Sequence, residues 1–181
     1  MSQQTHHNPD PAWARAIGAA LRPRRPGTQP WRFDLINGPN MSNLGAGGRD
    51  PRTYGLIASL AALQDSVVAM GLGLHMRAFS SNHEGAIVAH IYETADEVDG
   101  FLINPAALTR FGAPTTIAFA DVHRPLIELP FANVAALGWE GGVTTPVATG
   151  VAMGFRHYNY IGALFGFACA LDHGIPRESP S

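Results

Sequence analysis

The sequence predicts an α/β protein of the open, doubly wound class, built on a sheet of five parallel strands. Two observations lead there. From Trp31 onward, short apolar runs that end in Asn, Gly, Pro or Ser alternate with longer segments whose apolar residues recur every three or four positions. A strict alternation of strand and helix requires right-handed crossovers, which set the strands parallel and cover both faces of the sheet with helices. A length of 181 residues is enough for one such domain with a substantial core and too short for two ordinary ones.

The elements follow in order. Asp10 as an N-cap with Pro11 at the first helical position predicts a short helix over Ala12–Leu21, where Trp13, Ile17 and Leu21 stand four apart on one face. Residues 1–30 are rich in proline and arginine and are expected to be an appendage to a domain over 31–175, with 176–181 as a tail. Strands are expected at Arg32–Ile36, His75–Ser80, Gly100–Ile103, Leu126–Leu129 and around Val147–Met153. Leu60, Leu63, Val67 and Met70 mark a helix after the first strand, and Ile87 and Ile91 mark one after the second. A weaker helix is expected near Thr115–Val122, and Ile161, Leu164, Phe165, Ala168 and Leu171 mark a closing one. Five strands in this arrangement suit a flavodoxin-like order.

Composition removes several functions. The 12 basic and 14 acidic side chains leave a net charge of -2, so no positive field exists to hold nucleic acid or an anionic membrane. Every basic residue is an arginine, which excludes imine catalysis by lysine. The single cysteine, Cys169, permits no internal disulfide and no cysteine zinc site, and fits a reducing compartment. No apolar run approaches the length of a membrane span. Pro11, Arg15, Arg22 and the Arg24-Arg25 pair interrupt any signal-peptide core, so a cytoplasmic location is expected. His6-His7 and His173 lack metal-ligand spacing, and neither a metal nor a cofactor is expected. Gly45-Ala46-Gly47-Gly48 has no helix start at the spacing a dinucleotide cradle needs, and reads instead as a flexible lid.

In an open parallel sheet, ligands bind outside the carboxyl ends of the strands. The segments to read are therefore Asn37–Tyr54, Ser81–Glu84, Asn104–Thr109 and Pro130–Trp139. Asn37, Asn40, Asn82 and Asn104 all fall at or just beyond a strand end, where asparagine serves turns as readily as ligands.

The run Ile36-Asn37-Gly38-Pro39-Asn40, then Asn43-Leu44-Gly45, then Arg49-Asp50-Pro51-Arg52-Thr53-Tyr54-Gly55, resembles type II 3-dehydroquinate dehydratase. That family carries a Gly-Pro-Asn turn after its first strand and an Arg-Glu-Pro-x-x-Tyr-Gly loop. Further matches follow in order: Ser81-Asn82-His83-Glu84-Gly85, Ile103-Asn104-Pro105, Leu108-Thr109, Glu128, Asn133 and Pro146-Val147-Ala148-Thr149-Gly150-Val151. The resemblance covers roughly residues 32–173, with a loop about two residues longer than usual at Ala46–Gly48.

By position the resemblance implies that Tyr54 is the base which removes a proton next to a ring ketone. Arg49 is its activator, and Asn40 and Asn104 hold water and substrate. Physical chemistry supports the pair independently, because a phenol near pKa 10 needs a cation beside it to act as a base at neutral pH, and arginine keeps its own proton. The family's carboxylate contact, made by backbone N–H groups after the fourth strand, falls on Phe131 and Ala132. The resemblance also implies trimers grouped into dodecamers, hence a closed homo-oligomer.

The chain departs from the family where the acid should stand. The family's Glu-Val-His-x-Ser-Asn is here Glu128-Leu129-Pro130-Phe131-Ala132-Asn133, which puts a proline at the histidine position. Leu137 replaces an arginine and Arg110 a substrate-binding histidine, while Phe111, Phe131 and Trp139 add carbon to the expected rim. His83, His90, His123 and His157 read as surface or packing residues, and Tyr158 and Tyr160 as core or subunit contacts. Glu128, two residues before the vacant acid position, is the alternative carboxyl acid. The expected site is thus Tyr54, Arg49, Asn40 and Glu128 for catalysis, with Asn104, Arg110, Phe131, Ala132 and Leu137 for binding a small cyclic carboxylic acid. The expected function is a lyase or isomerase that forms an enolate but is a poor 3-dehydroquinate dehydratase. The alternative is a non-catalytic ligand-binding or scaffold homologue, and flavin or nucleotide binding would rest on fold analogy alone.

Overall fold

The computed structural model describes residues 30–44 and 74–174. The helices expected over 12–21 and 60–70, and the loop that carries Arg49 and Tyr54, lie outside the described residues. Within them, the chain order is β1 (Arg32–Asn37), β2 (His75–Ser80), α1 (Glu84–Thr94), β3 (Gly100–Asn104), α2 (Ala113–Val122), β4 (Leu126–Glu128), β5 (Gly150–Val151) and α3 (Tyr158–Asp172). The sheet has the order β2-β1-β3-β4-β5, and every neighbouring pair is parallel. This is the expected flavodoxin-like arrangement.

β1 and β3 are central strands, buried on both faces for almost their whole length, as continuous apolar runs in a parallel sheet should be. Their side chains alternate between two cores. Phe33, Leu35 and Leu102 meet α3 through Tyr160, Leu164 and Phe167, with the Phe33 and Phe167 rings stacked at 4.7 Å. Ile36, Phe101 and Ile103 join Ile87 and Ile91 of α1 and Ala118 and Phe119 of α2 on the other face. Each fully buried large apolar side chain contributes about 1.5–3 kcal/mol.

The α1 helix starts at extended His83, and Glu84 in its first turn sits where the helix dipole favours a negative charge. The Glu84 carboxylate also accepts from the N–H and hydroxyl of Thr115 at 3.1 and 2.9 Å, which fastens α1 to α2. Asp34 is the one buried charged residue of β1. It is fully buried and its Oδ2 receives both Arg77 Nε of β2 and His90 Nε2 of α1 at 2.8 Å. His90 is thus a packing histidine, stacked on Phe79 at 3.9 Å.

The fifth strand is shorter than expected. Pro146 cannot donate to a ladder, and Thr145–Val147 closes a 3-10 turn instead, leaving Gly150–Val151 to pair with β4. A second 3-10 turn, Met41–Asn43, follows the β1 turn where no helical element was expected. Among the described residues no helix is long and apolar enough to cross a membrane.

Candidate functional site

The carboxyl ends of the strands form one edge. Asn37 pairs in register with both Ser80 and Asn104, and Glu128 lies beside Ile103, one step lower. The turn after β1 is drawn against the turn after β3. Gly38 N–H donates to the Asn104 carbonyl at 2.9 Å, and a Cβ at Gly38 would overlap the Pro105 carbonyl oxygen, so only glycine fits. Asn40 then turns the chain in a left-handed conformation (φ 73°), which asparagine tolerates. Its N–H donates to Asn82 Oδ1 at 2.9 Å, so the β1 and β2 turns are tied together while its own side chain is exposed.

Period-two alternation sorts the polar residues of this edge into two groups. Asn37 and Asn104 face α3, where the Tyr160 hydroxyl lies between them. Asn104 Nδ2 donates to that hydroxyl at 3.0 Å and to Met41 Sδ at 3.4 Å, and its Oδ1 accepts from Ala106 N–H at 3.1 Å. The Tyr160 proton therefore passes on to Asn37 Oδ1 at 2.8 Å. Burial pushes the Tyr160 phenol far above its ordinary range, so this hydroxyl stays protonated. Asn37 Nδ2, where this run of hydrogen bonds ends, has no partner among the described residues.

Glu128 faces the opposite side, toward the segment 141–145 and Thr109. It is fully buried; Oε2 accepts from Thr145 Oγ1 at 2.8 Å and Oε1 has no partner among the described residues. Thr109 Cγ2 would lie 3.3 Å from a Cβ on Gly142, and the same Cβ would overlap Glu128 Oε1, so the Thr109–Arg110 turn and Glu128 are neighbours. Arg110 itself is exposed, with its guanidinium 4.7 Å above the Trp139 ring.

Pro130 is buried, and its carbonyl accepts from Asn159 Nδ2 at 2.6 Å. Nothing titratable occupies that position. Phe131 differs from the expected rim residue. It is only 7% exposed, because its ring packs edge-on against Tyr160 in the α3-facing core. Leu137 and Phe111 do lie on the surface, at 58% and 79% exposure. Among the described residues no acceptor meets the backbone N–H of Phe131 or Ala132. His83 is exposed at the start of α1, and His157 is half-buried beside Tyr158 with Nδ1 unpartnered. Among the described residues the structure brings together Asn40 with Asn82, and Glu128 with the Arg110 turn; Arg49 and Tyr54 lie outside the described residues. Thr145 and Gly142, which hold Glu128, were not foreseen; the signal was a Gly-Gly-x-Thr-Thr-Pro run beyond the strand end. No group of three metal-ligating side chains occurs among the described residues.

The family model for dehydroquinase class II matches residues 31–168. A 3-dehydroquinate dehydratase of Bacillus cereus (strain AH820) is 36% identical over 136 residues, which span 72% of this chain and 90% of that protein, and one from Bacillus anthracis is equally similar. Among solved structures, the type II dehydroquinase of Butyrivibrio crossotus superimposes with a TM-score of 0.69 at 31% identity, over 77% of this chain and 98% of that one. The type II dehydroquinase of Propionibacterium acnes gives a TM-score of 0.68 at 26% identity, over 77% and 96%.

Proposed function

Because this chain belongs to the dehydroquinase class II family, whose activity is that of a lyase, we propose that it removes a proton next to the carbonyl of a small cyclic keto acid, with Tyr54 as base and Arg49 as its activator. The ring is less hydroxylated than 3-dehydroquinate. The observation that carries this reading is the end of β4, where buried Pro130 offers no proton and the fully buried carboxyl of Glu128 stands two residues before it.

In this reading Tyr54 takes the proton, Arg49 holds the phenolate, and Glu128 replaces the family's histidine as the acid for the leaving group. The backbone N–H groups of Phe131 and Ala132, which meet no acceptor among the described residues, receive the substrate carboxylate, and Arg110 adds a guanidinium suited to a carboxylate or an enolate oxygen. Asn40 and Asn104 border the ring. Phe111 and Leu137 cannot pair with ring hydroxyls, and each buried hydroxyl left unpaired costs roughly 1–3 kcal/mol, which disfavours a polyhydroxylated ring. Their exposure on a single chain also suits contact with neighbouring copies in a closed, trimer-based oligomer.

A specific observation favours a second reading. The Asn104 side chain is spent on Tyr160, Met41 and Ala106, as in a protein that keeps the fold and binds without turnover. The test is steady-state dehydration of 3-dehydroquinate beside an ordinary family member. The ring hydroxyls of 3-dehydroquinate that Phe111 and Leu137 leave unpaired cost about 1–3 kcal/mol each, so with two of them the chain should be at least about thirtyfold slower. A rate within about tenfold of the ordinary enzyme would contradict the altered-substrate reading.

A further inference from the structure

The hydrogen-bond directions around Glu128 are fixed by a backbone group. Gly142 N–H can only donate, and it donates to Thr145 Oγ1 at 2.8 Å. The Thr145 hydroxyl has one proton, which therefore goes to its other close partner, Glu128 Oε2, at 2.8 Å. Oε1 lies against the Gly142 backbone, where a Cβ would overlap it. Two nearby hydroxyls are engaged elsewhere: Thr109 Oγ1 donates to the Ala106 carbonyl at 2.6 Å, and Thr116 Oγ1 to the carbonyls of Gly112 and Val143 at 3.0 and 3.1 Å, while Thr144 Oγ1 is buried with no partner among the described residues. One carboxyl oxygen is thus clamped and the other, buried in a fully covered side chain, is without a partner among the described residues.

We propose that Thr145 is a positioning residue that holds Glu128 by Oε2 and leaves Oε1 as the oxygen that meets the substrate; this rests on the reading of Glu128 as the acid. With Oε2 occupied by the Thr145 proton, the proton that Glu128 transfers is carried on Oε1. After Tyr54 has formed the enolate, its electron pair closes the ring double bond as the carbonyl re-forms and the C–O bond to the hydroxyl breaks. The departing hydroxyl takes the Oε1 proton and leaves as water. The Glu128 carboxylate left behind keeps the Thr145 hydroxyl on Oε2, and regains a proton from solvent as Tyr54 releases the one it took.

The experiment compares the full chain with Thr145→Val, Thr145→Ser and Glu128→Gln, using 3-dehydroquinate as the probe and a melting curve for each protein. Thr145→Val should lower kcat by about tenfold at nearly unchanged KM, the pattern of an interaction that matters in the transition state, and Thr145→Ser should restore it. Thr145→Ala serves the same comparison should the valine variant fail to fold. If Thr145→Val and Thr145→Ala only lower the melting temperature and leave kcat intact while Glu128→Gln abolishes turnover, Thr145 is structural and the proposal is wrong. If Glu128→Gln turns over at the wild-type rate, the carboxyl is not the acid, and both the proposal and the reading beneath it fall.

Discussion

Replacing Tyr160 by Phe removes one hydroxyl and nothing else from the floor of the site. The ring stays on Phe131, with centroids 5.7 Å apart. What is lost is the donor to Asn37 Oδ1 and the acceptor for Asn104 Nδ2, at 2.8 and 3.0 Å. Asn37 then has no partner at either end of a fully buried amide, since Nδ2 is already unpaired. Asn104 keeps its Met41 contact and its bond from Ala106. An orphaned buried polar group costs about 1–3 kcal/mol, so Asn37 together with a smaller share for Asn104 gives a loss of about 2–4 kcal/mol. For a chain of this length each kcal/mol lowers the melting midpoint by roughly 2–4 °C, so a fall of about 4–16 °C is expected. Urea denaturation of the full chain measures the same quantity, with an unchanged slope against denaturant. A loss under about 0.5 kcal/mol would refute the claim that the tyrosine hydroxyl holds the ends of β1 and β3.

Gly38→Ala should destabilise by about 1–3 kcal/mol or more, because its Cβ meets the Pro105 carbonyl and neither backbone can yield without losing the Gly38–Asn104 bond; denaturant titration checks it. Burial holds the His157 imidazole below its ordinary value, so the folded state binds fewer protons than the unfolded one as pH falls through about 6.5. That contribution to stability is present above the unfolded value and is lost on acidification toward the folded one. His157→Gln should therefore flatten the fall in melting temperature between about pH 7 and 5, and an unchanged slope would show that His157 titrates freely.

Much of the fold was legible because the strands are central and parallel: β1 and β3 are apolar runs that end in Asn, and the register places those asparagines side by side. What was not legible depends on partners far apart in sequence. Asp34 reads as a charge in a strand, and only the sheet brings Arg77 and His90 to it. The site was readable as a set of strand ends but not as two groups. Alternation along β3 and β4 puts Glu128 on the face of Ile103 and Asn104 on the face of Tyr160, and that needs the register as well as the residue types. Tyr160, read only as a core or subunit contact, links Asn37 to Asn104 because a helix more than fifty residues downstream returns to cover β1 and β3. Phe131 went from rim to core for the same reason, as its ring packs on that tyrosine.

The central claim is that the chain still takes a proton from a carbon next to a ring ketone and does so through Tyr54. Incubating 3-dehydroquinate, and separately a cyclohexanone carboxylate, with the full chain in deuterated water and following the adjacent carbon by NMR tests this directly. Deuterium should enter at that carbon faster than dehydration proceeds, more readily in the less hydroxylated ring, and not at all above background in Tyr54→Phe. Exchange that persists undiminished in Tyr54→Phe, or no exchange in the unmodified chain with either ring, would contradict the account.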